Sequence, residues 1–294
     1  MFRSFMFGVG ALVLVSGAQA ADLFIDTVDE VPIVESHGLR GVVELGGLGR
    51  MAQEDGGDFS SFGGLYGAFA IEGQYDALVL GLDGYGEWLS IGENDPAVTN
   101  GNLGVLGAQI GARIDSWYLG GFGTLATYPD AETEEQFFGY AAGVQAAVDI
   151  DRAQLVGRLG YAFAPNDDFD NDDEGFVGPF AEIGAAYALS SDFAVMANLG
   201  YGFSASFDVS NDPGEYVNWG VKAAYGLPGE LNLNLVASYE GMHAFDQDDE
   251  SNTTHTVKLG LSIPFGDEGT AMDALRPLAS PTAPFRASVS ADVL

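Results

Sequence analysis

From about Leu39 to Phe265 the chain breaks into segments of roughly ten to fifteen residues, apolar at every second position and separated by turn residues. They number twelve and run near 39–49, 64–74, 77–90, 102–114, 117–128, 136–149, 153–164, 176–189, 192–205, 215–227, 230–243 and 254–265. A period of two is that of a strand whose side chains alternate between two faces. In the ninth segment Phe193, Val195, Ala197, Leu199, Tyr201 and Phe203 share one face, and Ala194, Met196, Asn198, Gly200, Gly202 and Ser204 the other. The eleventh sets Leu231, Leu233, Leu235, Ala237 and Tyr239 against Asn232, Asn234, Val236, Ser238 and Glu240. The regular face is bulky and apolar; its opposite is small, polar or charged.

The connections alternate in kind. Strands 2–3, 4–5, 6–7, 8–9 and 10–11 are joined by tight turns such as "QYD", "IDS" and "DIDR", while the others are joined by longer acidic stretches such as "PNDDFDNDDEG" and "DQDDESNT". Short turns on one side and long loops on the other predict an all-β fold: a closed antiparallel up-and-down transmembrane β-barrel of about 12 strands. With an even strand number, both ends of the barrel segment 39–265 fall on the periplasmic side. A soluble barrel would invert the pattern, with Val, Leu and Ile inside and charge outside. Trp88, Trp117, Tyr187, Trp219, Tyr225 and Phe265 near the ends of the apolar faces fit interfacial girdles. Pro179 runs against closure, since a closed barrel has no edge strand to host it.

The N-terminus adds a route. Arg3, an apolar run from Phe5 to Val15 and "AQA" ending at Ala20 make residues 1–20 a secretory signal peptide, followed by a leader over 21–38. The exported chain has no cysteine, so no disulfides staple it. No segment approaches the ~20 consecutive apolar residues of a membrane-spanning helix, which leaves strands as the only means of spanning. With 43 Asp and Glu against 10 Lys and Arg, the chain does not bind nucleic acid through phosphates. Nothing in it asks for a cofactor or a metal.

The stretch "KLGLSIPF" carries a polar residue at Lys258, glycine at Gly260, and hydrophobic or aromatic residues at Ile263 and Phe265. It resembles the terminal assembly signal of bacterial outer-membrane β-barrel proteins of the porin-like kind. The resemblance implies outer-membrane location in a Gram-negative bacterium, contact with outer-membrane lipid and lipopolysaccharide, and insertion by the barrel assembly machinery. Oligomeric state stays open. Behind the signal, residues 266–294 form a Pro- and Ala-rich tail too short for a packed domain. Disorder is the expectation for it, and a plug in the barrel mouth the alternative.

The charged residues of the strands segregate. Arg40, Arg113, Arg158, Lys222 and Lys258 fall on the inward face, with Glu44, Glu72, Asp83, Glu87, Asp149, Glu182 and Glu240; Arg50 and Arg152 are placed in a loop and a turn. Lys or Arg facing lipid at mid-membrane would cost roughly 2–4 kcal/mol, which accounts for the segregation. Either these charges pair and fill the barrel, or they line a water-filled pore and select solutes. Gly139, Ala141, Gly143, Ala147, Gly184, Ala186, Gly200 and Gly202 would leave space, which favours a narrow pore.

The external segments hold roughly half of the acids. "DFDNDDEG" lacks the Gly and the distant Glu of an EF-hand loop, so solvated loops at a cation-attracting mouth are expected. His243 and His255 fall outward near the external rim, but no Ser at a defensible spacing completes a lipid-hydrolase pair. The sequence therefore leads to a passive channel for small hydrophilic solutes or ions without covalent chemistry. A non-conducting structural or surface-binding barrel is the alternative, and a lipid hydrolase the third possibility.

Overall fold

The fold is described from a computed structural model over residues 38–291, apart from 55–56, 58, 91–101, 130–135, 166–174, 205–212, 230–231, 246–250, 267–269 and 276–280. The signal peptide, most of the leader and nearly all the acidic loop residues lie outside the described residues.

The twelve strands are β1 (Gly38–Glu54), β2 (Phe59–Tyr75), β3 (Leu78–Ser90), β4 (Leu103–Ile114), β5 (Trp117–Pro129) and β6 (Gln136–Ile150), then β7 (Ala153–Pro165), β8 (Gly175–Ala188), β9 (Phe193–Ser204), β10 (Gly214–Gly226), β11 (Asn234–Phe245) and β12 (Ser251–Phe265). Each pairs antiparallel with its sequence neighbours, and β1 pairs with β12 to close the barrel. Closure gives every backbone ladder a partner, as hydrocarbon requires. Three of the tight turns are made by aspartates at positive φ, Asp76, Asp115 and Asp151, a conformation that Asp tolerates better than most residues.

Inside-out burial follows the parity. Leu45, Leu65, Leu125, Val144, Leu199, Val221 and Leu259 are exposed on the outer wall, while their neighbours Glu44, Gln145 and Lys258 are buried within. Trp88, Trp117, Tyr187 and Tyr225 are exposed near strand ends. Trp219 instead lies along the outer wall over the bare backbone of Gly241, edge-on to His255 at 6.4 Å. Pro179 is accommodated because the β8–β9 ladder runs only from Phe180 to Ala188. Above it, Val177 N–H donates to the Ser204 side chain at 2.9 Å in place of a ladder bond.

Three features depart from the sequence-based picture. First, β1 and β2 run on to Glu54 and from Phe59, so Arg50, expected in a loop, is on a strand; β11 in turn starts at Asn234 rather than near 230. Second, the inward face is not small throughout. Tyr66, Tyr85, Phe122, Tyr128, Phe176, Phe180 and Tyr216 form a buried aromatic cluster with Leu48, Val105 and Met242. Much of the space expected beside the inward glycines is taken by these rings: a Cβ on Gly143 would lie 2.8 Å from Phe122, and one on Gly202 2.8 Å from Phe176.

Third, the described parts of the tail, residues 270–275 and 281–291, are folded against the inner wall of the barrel rather than disordered. A 3₁₀ turn, Asp273–Leu275, buries Ala274 and Leu275 against Ala194, Ala224 and Val236 at the tight-turn ends of β9–β11. Thr270 N–H and Oγ1 both donate to Asp273, and Ala271 N–H donates to Ser191 of the β8–β9 turn. Helix α1 (Ala283–Ala291) then packs on β5, β7, β8 and β11. The Thr282 carbonyl accepts its first turn's bond from Arg286 N–H, the N-cap arrangement, and Pro284 sits early, where its missing N–H costs nothing.

Candidate functional site: the charged and aromatic lumen

The inward charges meet in direct contact. Near the tight-turn end of the barrel Arg40 pairs with Glu72, Glu72 with Arg113 at 3.5 Å, and Arg113 with Asp149 at 2.9 Å, to which Gln154 also donates at 2.7 Å. This chain links β1, β2, β4, β6 and β7 along one side of the barrel. Arg158 and Glu182, cross-strand partners on β7 and β8, lie 3.3 Å apart.

Lys222 on β10 reaches Glu44 on β1 at 2.6 Å, spanning two intervening strands, and Tyr66 donates to the other oxygen of Glu44 at 2.7 Å. Lys258 bonds Glu240 at 2.8 Å and sits 4.7 Å from the Tyr85 ring centroid. Asp83 is buried on the same inward face.

Two cations that the sequence-based lumen set lacks complete the network. Arg50 bonds Glu87 at 2.7 Å and Thr256 at 3.0 Å. Arg286, from the tail, bridges Glu240 at 2.8 Å and Glu87 at 3.0 Å. Arg50 was legible by parity, since it continues the even positions of Arg40 and Glu44 on β1. Nothing local to "APFRAS" marks Arg286 as an inward residue.

Burial explains the pairing. An ionised group removed from bulk water without a partner costs several kcal/mol, and each inward cation is met by a carboxylate. The charges therefore do not face one another across open water, as a wide pore would have them. Among the described residues there are cavities large enough for water, of which two are lined by these charges. One of about 80 Å³ is lined by Arg40, Glu72, Asp83, Gln109, Arg113 and Arg158. The other, of about 200 Å³, is lined by Arg158, Glu182, Asn198, Lys222, Glu240 and Arg286 among others.

The outer-wall histidines belong to separate pairs. His243 Nδ1 is 2.8 Å from Thr253 Oγ1, and His255 Nδ1 is 2.8 Å from the Tyr239 hydroxyl. Of the residues expected from sequence to form an assembly signal, Lys258 and Gly260 face inward and Ile263 outward, while Phe265 ends β12 with its ring against Gly41. Among the described residues no group of three His, Asp or Glu is placed to hold a metal ion.

No family model matches the chain, and no curated protein sequence matches it. Among solved structures, the COG4313 outer membrane channel from Pseudomonas putida F1 aligns with a TM-score of 0.53 and 16% identity, over 80% of this chain and 97% of that one. The KdgM porin aligns with a TM-score of 0.43 and 11% identity, over 74% and 97%. The outer membrane channel DcaP of Acinetobacter baumannii aligns at 0.42 and 12%, over 78% and 96%. The chain is a closed twelve-stranded antiparallel β-barrel, similar in fold to a solved bacterial outer-membrane channel.

Proposed function

We propose that the protein is a porin-like channel of a bacterial outer membrane, passing small hydrophilic solutes or ions by diffusion. One observation carries this: a closed barrel with an apolar outer wall encloses ionised side chains of both signs around cavities of about 80 and 200 Å³. Ionised groups of that number are expected where a barrel must stay wettable along its axis. The solved barrel most nearly superposed among those compared above bears the name of an outer-membrane channel, in keeping with this function. Residues 1–20 would direct export, and Lys258, Gly260, Ile263 and Phe265 would present the barrel to its assembly machinery. Lipid and lipopolysaccharide would contact the outer wall.

A second reading, a non-conducting structural barrel, draws on the direct ion pairing and on the tail within the lumen. Planar-bilayer recording separates the two. The native chain and a full-length Phe285→Asp variant, which charges the buried end of the tail, are inserted in parallel. Discrete current steps from either support the channel. Silence from both, with heat-modifiable folded barrels confirmed, overturns it.

A further inference from the structure

The tail segment Pro281–Ser288 occupies a lumen site with two chemically different halves. One half holds a guanidinium. Arg286 Nη1 donates to Glu240 at 2.8 Å, Nη2 donates to Glu87 at 3.0 Å and to the Tyr85 hydroxyl at 3.1 Å, and the Tyr85 ring centroid is 5.5 Å from the guanidinium carbon. The other half holds an aromatic ring. Phe285 is wholly buried, stacks on Tyr128 at 6.2 Å, and fits against Gly139, where an added Cβ would lie 2.9 Å from its ring. Beyond it the Ser288 hydroxyl donates to the Ala164 carbonyl.

The wall is arranged to release this occupant without damage. Among the described residues, the strands bring inward the cations Arg40, Arg50, Arg113, Arg158, Lys222 and Lys258 and the acids Glu44, Glu72, Asp83, Glu87, Asp149, Glu182 and Glu240. If Arg286 leaves, Glu87 still has Arg50 at 2.7 Å and Glu240 still has Lys258 at 2.8 Å. No carboxylate is stranded, so the barrel avoids the penalty of an unpaired buried charge. The vacated pocket keeps three acceptors placed for a guanidinium, Glu87, Glu240 and the Tyr85 hydroxyl, beside an aromatic-lined recess, and acid-rich external segments favour cations at the mouth.

We propose that this pocket is a binding site for solutes that join a guanidinium or amine to an aromatic or bulky apolar group, and that residues 281–288 are its built-in competitor, displaced when such a solute enters. The consequence for passage rests on the channel function proposed above; the binding itself does not.

The test uses the full-length, cysteine-free chain carrying Thr282→Cys, at a half-buried position next to α1, labelled with a nitroxide. The probe is N-acetyl-phenylalanyl-arginine amide and its control N-acetyl-phenylalanyl-glutamate amide. The label should be immobile alone and gain mobility at a concentration of the arginine compound at least tenfold below that of the glutamate compound. Bilayer current is the second measurement. Full-length Phe285→Asp/Arg286→Glu should conduct several-fold more than the native chain and be blocked by the arginine compound only. A label that neither compound frees, or that both free alike, overturns the site even if the barrel conducts. A variant conducting no more than the native chain overturns the competitor role. Release by the arginine compound with no current from any form leaves the site standing and overturns the channel.

Discussion

Replacing Val221 by Arg tests which side of the wall meets lipid. Val221 lies near the middle of β10, 55% exposed, paired across the sheet with Ala197 and Tyr239 on the outer face. Its neighbour Lys222 already carries a charge, but points inward to Glu44 at 2.6 Å. Two adjacent positions thus differ in the medium they see. An arginine on the lipid side at mid-membrane costs about 2–4 kcal/mol. At about 1.4 kcal/mol per decade, that is a fall of roughly 30- to 700-fold in the folding equilibrium constant. Tyr75→Lys, at the tight-turn end of β2, should cost only about 0–1 kcal/mol because the side chain reaches headgroups and water. Reversible urea unfolding in lipid vesicles measures both. Equal, small costs at the two positions would mean that the β10 outer face does not lie in hydrocarbon, and would refute the assignment.

The lumen gives two further expectations. Glu44→Gln removes the charge held by Lys222 and Tyr66 and should destabilise the barrel by about 1.5–3 kcal/mol in the same assay, with Glu44→Gln/Lys222→Met recovering part of the loss. Gly46→Val forces a side chain into the Tyr66 ring and the β12 backbone and should cost about 1–3 kcal/mol, whereas Gly123→Val, with nothing within 4 Å of its added Cβ, should stay within about 0.5 kcal/mol of the native value.

The fold was legible wherever each strand has two different solvents. Inside hydrocarbon, alternation is enforced by the cost of a misplaced polar group, and β3 to β10 begin and end within a residue or so of their apolar periods. Past the membrane both faces of a strand are wet and the constraint lapses. Residues 50–54 and 59–63 therefore read as loop although they are paired strand, and Arg50 was lost with them. The aromatic lumen was within reach: Tyr85 stands between Asp83 and Glu87 at two-residue spacing, and Phe180 stands two before Glu182. The charges on those strands already named the inward parity. The tail was not within reach, because its docking depends on Glu87, Glu240, Tyr128 and Gly139, brought together from four strands. No periodicity within eight residues encodes that.

The central claim is that the regular apolar face of each strand looks out to lipid while the ionised side chains look in. A cysteine scan of β12 from Thr256 to Ile263, spin-labelled in bilayers and relaxed by oxygen, tests it most directly, since the chain has no cysteine of its own. Labels at Val257, Leu259, Leu261 and Ile263 should show high oxygen contact, and those at Thr256, Lys258, Gly260 and Ser262 low contact. Uniform values, or the opposite alternation, would contradict the account.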